Sequence, residues 1–213
     1  FYAIDSMLVF ICIVGPALLI PMYVQTGLGL SALLSGLVIL PGAVFNAFIS
    51  VYTGKIFDKY GIKVLVIPGF TVLIIMTILH AFLTTETPFW YVVVIYAIRM
   101  ISVGLLIMPL NTVGLNALKP EEISHGTAIM NSLRIIAGAM GTAISITILS
   151  IVAKNYTATH HTMSKVKLAR ESTVQGVDAA FIFTTVLIVI GFILALFIKE
   201  NRNAKDTDSS SEK

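Results

Sequence analysis

"TGKIFDKYGIK", Thr53 to Lys63, sets three lysines and an aspartate into an otherwise oily chain. The 49 residues from Ser6 to Gly54 carry no charged side chain, and Val64 to Thr85 is again without Asp, Glu, Lys or Arg. One helix needs about 20 apolar residues to cross a hydrocarbon layer. The first run is therefore long enough for two crossings, and the charged knot marks a return to water. That reading decides the fold class: an all-α membrane protein.

Composition agrees. Of 213 residues, 57% are apolar and 12% charged, against about 25% charged in a soluble domain. A chain this poor in charge cannot clothe a surface for water. The net charge of +3 is small, and no basic cluster interleaved with aromatics forms a nucleic-acid groove. The lone Cys12 excludes an internal disulfide and a multi-cysteine metal site, and reads as a buried packing residue. The chain starts at Phe1 inside an apolar stretch with no signal-peptide pattern, so a piece of a longer membrane protein is expected.

Working outward from the knot gives six spans. "QTGLGLS", Gln25 to Ser31, breaks the first run with two glycines, predicting helices at about 2–24 and 31–53. Further helices are expected at about 63–83, 89–115, 124–153 and 178–198, all within one unit, 1–199. A polar, disordered cytoplasmic tail is expected over 200–213. Asp178 reads as the N-cap of the last helix, and "HTMSKVKLARES" before it allows either a polar loop or a short interfacial helix. An even number of spans places both ends on one side. That side carries Lys55, Lys59, Lys63, Lys119, Lys199, Arg202, Lys205 and Lys213, against Lys154, Lys165, Lys167 and Arg170 opposite. Excess lysine and arginine mark the cytoplasm, so both ends are expected there.

Polar residues inside spans are the functional candidates, because charge in the bilayer is costly. Arg99 and Arg134 each lie about ten residues into a helix, near mid-membrane at roughly 1.5 Å per residue. Two readings stand for each: a structural bond between helices, or a substrate or coupling role. Asn111 and Asn131, on the same two helices, either line a pocket or bond across helices. Asp5 is either a helix N-cap or a proton carrier. Pro16, Pro21 and Pro109 should kink their helices by removing backbone hydrogen bonds. Ala137, Gly141 and Ser145, with Gly138 and Thr142 alongside, form a small-residue face suited to close helix packing. Met22, Tyr23, Met108 and Met130 are candidates for an adaptable apolar surface, or for ordinary packing.

Within the knot, an interfacial anchor explains the lysines but not Gly54, Asp58 and Gly61. The glycines suggest a close helix approach at Gly54 and a tight turn at Gly61, with Asp58 near a helix end. The pattern G-x-x-x-D-K-x-G-x-K, from Gly54 through Asp58, Lys59 and Gly61 to Lys63, resembles the cytoplasmic loop signature of the major facilitator superfamily. Ile62 departs from it, standing where a basic residue is usual. "IPMYVQTGLGLSALLSGLVILPGA", Ile20 to Ala43, and "GTAIMNSLRIIAGAMGTAI", Gly126 to Ile144, resemble 14-helix drug:proton antiporters of the multidrug or lincomycin-resistance type. The resemblance covers Phe1 to about Lys199. It implies the C-terminal six-helix half of an exporter of hydrophobic or cationic drugs. It further implies a proton as coupling ion with no other cofactor, an N-terminal half as partner, and a conformational-switch role for the knot.

Other readings are nutrient uptake by the same fold and a non-transporting membrane scaffold. An enzyme is not expected: there is no G-x-S-x-G or H-E-x-x-H, and His80, His125, His160 and His161 lack metal-ligand spacing on one helix.

Overall fold

The computed structural model describes residues 2–116, 123–160 and 163–196, apart from the side chains at 2–6, 115 and 116. Among these residues all regular structure is helical. The order is α1 (Tyr2–Met22) with a π-helical turn (Tyr23–Gly27), α2 (Ala32–Tyr60), α3 (Lys63–His80), α4 (Phe89–Asn116), α5 (Ile123–Thr159) and α6 (Lys165–Leu196). Each contains a stretch long and apolar enough to cross a membrane. The chain is a multi-pass membrane protein. The 200–213 tail and Lys119 lie outside the described residues.

Three helices outrun their expected limits. α2 continues from 53 to Tyr60, so Gly54, Asp58 and Lys59 are helical rather than in a loop. α5 runs to Thr159 rather than 153, and α6 begins at Lys165 rather than 178. At roughly 1.5 Å per residue, the 37 residues of α5 extend about 55 Å, well beyond a hydrocarbon core of about 30 Å. A helix satisfies its own backbone hydrogen bonds, so it need not stop where apolar sequence stops. Beyond the apolar windows α5 and α6 hold each other through polar contacts. Tyr156 of α5 donates to Glu171 Oε2 of α6 at 2.7 Å, and Lys167, one turn before Glu171 on α6 itself, pairs with the same carboxylate at 3.7 Å. "HTMSKVKLARES" therefore contributes the first turns of α6 from Lys165 onward, and Asp178 is an interior helical residue, not an N-cap.

The knot ends in one turn. Gly61 has φ +81° and its N–H closes on the Phe57 carbonyl at 2.9 Å, stopping α2 two residues before α3 begins. A Cβ strains that conformation, which is why glycine serves there. Across the molecule, the second chain reversal uses Ser31, whose hydroxyl accepts from Leu34 N–H as the N-cap of α2.

Small residues set the helix spacing. Lipid offers apolar side chains as good a solvent as protein does, so packing in a membrane relies on close backbone approach. On α5, Gly141 lies against Ile11, Gly138 against Phe10 and Val14, and Ser145 against Gly15 of α1. On the other side, Gly42 and Gly104 bring α2 and α4 together beside Tyr96, Met100 and Ile49. Asn46 adds a 2.7 Å bond from its Nδ2 to the Met100 carbonyl. α6 closes the bundle through Gly176, seated on the Leu149 backbone. One apolar core gathers Leu19, Tyr23, Tyr96 and Phe181, and a second gathers Cys12, Phe70, Leu106 and Ile188. The outer faces of α2 and α5 stay open, with Phe48 65% and Ile135 68% exposed.

Candidate transport site

The two arginines part company. Arg99 is wholly buried, enclosed by α1, α3 and α4. Its Nη2 donates to the Cys12 carbonyl and its Nε to Thr77 Oγ1 at 3.4 Å. The sequence explains the first bond. Pro16 stands four residues after Cys12 in α1 and has no N–H, so the Cys12 carbonyl loses its helical donor. Arg99 supplies the replacement from α4. A proline break and a buried cation, each costly alone, satisfy each other. Arg99 thus tethers helices from within the half and does not line an open surface.

Arg134 is half-buried on α5, and Asn131, one turn before it, is exposed. Along α5 the stripe Arg134, Gly138, Gly141 and Ser145 faces α1. The helices run parallel, with Gly141 at Ile11 and Ser145 at Gly15. Carrying that register seven residues back puts Arg134 level with residue 4 of α1, next to Asp5 in the chain. The Asp5 side chain itself is outside the described set. Asn111, on α4, is half-buried with an Oδ1 that has no hydrogen-bond partner among the described residues. Arg99 and Arg134 therefore occupy separate environments, not one pocket. Thr142 bonds its own helix through the Gly138 carbonyl at 2.9 Å, and Ala137 is buried.

The knot residues sit where α2 turns into α3. Gly54 is covered by the Met108 side chain of α4, whose Cε would lie 2.8 Å from an added Cβ. Asp58, Lys59 and Lys63 are exposed, and Lys59 Nζ lies 5.1 Å from the Tyr60 ring centroid. A helix C-terminus presents carbonyls and favours a cation. Lys59 suits that end; Asp58 does not, and the nearest run of backbone N–H groups in the chain is the first turn of α3.

Of the candidate apolar surface, Tyr23 takes the packing alternative. It is fully buried in the π-helical turn, and its hydroxyl donates to the Thr84 carbonyl at 2.7 Å. Met22 and Met108 are partly exposed, at 36% and 40%.

Several polar contacts were not legible in the sequence. Arg170 counted there only as a loop charge, yet its Nε and Nη2 bond the Gly27 and Leu28 carbonyls at 2.9 and 2.7 Å. It closes the end of the π-helical turn, where Gly29 takes φ +71°. The Asp178 carboxyl lies near the Leu83 backbone, and its Oδ1 has no hydrogen-bond partner among the described residues. Both belong to α6, whose early start hid them. Among the described residues no group of three His, Cys, Asp or Glu could hold a metal ion.

Residues 1–142 match the Major Facilitator Superfamily. The chain belongs to that superfamily. It is 39% identical over 201 residues to the lincomycin resistance protein LmrB of Bacillus subtilis, covering 93% of this chain and 42% of that protein. Its namesake in Listeria monocytogenes is 38% identical over 90% of the chain and 40% of its own length. The multidrug export protein EmrB of Haemophilus influenzae is 28% identical over 73% and 30%. The chain spans about two fifths of the length of its LmrB relatives. The names these relatives carry are of drug resistance and multidrug export.

Proposed function

We propose that this chain is the C-terminal half of a proton-coupled exporter of hydrophobic or cationic drugs that works by alternating access. The observation that carries the reading is the match to lincomycin resistance proteins across nine tenths of the chain but only two fifths of those proteins. An N-terminal half is then the partner, and the open faces of α2 and α5 are divided between it and the bilayer. Both ends of the chain and the knot face the cytoplasm, consistent with the lysine excess on that side. Labelling of Tyr60→Cys from outside intact cells would overturn that orientation.

In this reading Asp5 exchanges the coupling proton, with no other cofactor. Asn111, Asn131 and Arg134 contribute the polar part of the central pathway. The parallel register of α1 and α5 supports grouping Asp5 with Arg134, since the two lie at one level. The α2–α3 turn acts as the switch, with Gly54 and Gly61 fixing its geometry and Asp58, Lys59 and Lys63 engaging the other half as it rocks.

The test is expression of the complete transporter in an efflux-deficient host, with resistance measured across a drug panel. Resistance abolished by a protonophore, and by Asp5→Asn at equal expression, is the expected result. Unchanged proton-driven efflux in Asp5→Asn would move the proton site elsewhere. Asp58→Asn should impair transport more than Lys59→Ala; the reverse order would make the knot a plain electrostatic anchor.

A further inference from the structure

α3 and α4 run antiparallel through the interior. Gly69 lies against Leu106, Thr77 meets Arg99, and the His80 ring stands edge-on to Tyr96 at 6.4 Å between centroids. In this register His80 and Arg99 occupy neighbouring turns. Side chains on a helix lean toward its N-terminus. α3 starts at the knot end and α4 at the opposite end, so these two side chains lean toward each other. Both are wholly buried, and the Arg99 charge acts on the His80 ring.

Each has one polar atom without a hydrogen-bond partner among the described residues: Arg99 Nη1 and His80 Nε2. Such atoms are uncommon in folded proteins, and here their chemistry is complementary. His80 Nδ1 lies 2.7 Å from the Met76 carbonyl oxygen. A carbonyl only accepts, so Nδ1 carries the hydrogen and Nε2 of the neutral ring keeps its lone pair. A guanidinium nitrogen only donates.

We propose that His80 is the positioning partner of Arg99, one bound water accepting from the Nη1 N–H and donating to Nε2. The three guanidinium nitrogens then have fixed acceptors: the Cys12 carbonyl on α1, Thr77 on α3, and the water that His80 holds. Phe181 of α6 lies 4.9 Å from the imidazole between centroids and backs the ring. The planar fork is thereby held in the one orientation that reaches the carbonyl released by Pro16. This inference does not depend on the exported substrate or the coupling ion.

The decisive measurement is solid-state NMR on the 15N-labelled complete transporter in membranes, with His80→Gln used to assign the signal. The expected ring is neutral and protonated at Nδ1, with Nε2 dipolar-coupled to a water shared with the Arg99 side-chain protons. A ring protonated at Nε2, or an Nε2 without that water, overturns the proposal. Melting provides an independent reading. His80→Leu should lower the melting temperature by about 2 °C, His80→Gln, whose amide oxygen still accepts, should recover most of that loss, and His80→Leu should cost nothing further once Arg99→Leu is present. Additive losses in the double variant would also overturn the pairing.

Discussion

Two arginines, each about ten residues into an apolar helix, meet different surroundings. Arg99 looks inward to α1 and α3, where its N–H groups replace what Pro16 removed. Arg134 stands half-buried on α5, in line with a face of small residues packed on α1. The difference shows that the cost of a charge in the membrane does not by itself indicate function. A fully enclosed arginine with backbone acceptors meets that cost by joining helices. One only half-buried, at the end of a packed small-residue stripe, keeps part of its surface within reach of the face it borders.

The largest effect separating the two regions is expected from Arg99→Leu. It leaves the Cys12 carbonyl buried without a donor, and should destabilise the purified complete transporter by about 3 kcal/mol, near the upper end for an orphaned buried acceptor. Chemical or thermal unfolding checks this; a loss below about 1 kcal/mol would undo the view of Arg99 as an internal tether. Next comes Gly141→Ala on the α1–α5 face. Its Cβ would fall 2.6 Å from Ile11 Cγ2 and 3.0 Å from the Ile11 Cα, and overpacking of this kind costs about 2 kcal/mol. Gly36→Ala, where nothing lies within 4 Å, is the matched control and should be neutral or stabilising by up to about 1 kcal/mol.

Gly61→Ala probes the turn that connects the knot to α3. At φ +81° and ψ −178°, a region essentially confined to glycine, an alanine should cost about 2 kcal/mol, read in the same melts. The smallest effect on stability is expected from Arg134→Gln, within about 0.5 kcal/mol, together with a marked loss of drug efflux. Normal efflux in that variant would remove the functional half of the comparison and make both arginines structural.

Much of the fold was legible because hydropathy and length suffice to find membrane spans. Helix starts at Ala32, Lys63 and Phe89 fall within a residue of expectation, since glycine, serine and charge punctuate those ends. The ends of α2 and α5 and the start of α6 were not legible. They lie in polar sequence, where a helix persists by pairing with neighbours and no apolar boundary marks its limit. The same blindness put Arg170 in a loop and Asp178 at the cap of the last helix, whereas α6 runs through both. Tyr23 stays open between surface and packing in the sequence for a different reason: an aromatic beside Met22 can face either way, and only the π-helical turn directs it inward.

What the sequence determined by itself was the solvent. Runs of uncharged residues around a lysine knot require lipid, helices and short turns, because a backbone in hydrocarbon must satisfy its own hydrogen bonds. What only the tertiary structure decided was which way each polar side chain faces. Position along a helix fixes depth in the membrane, but rotation about the helix axis comes from packing. That rotation was set by contacts at Gly15, Gly42, Gly104 and Gly141, far apart in sequence and brought together only by the folded bundle.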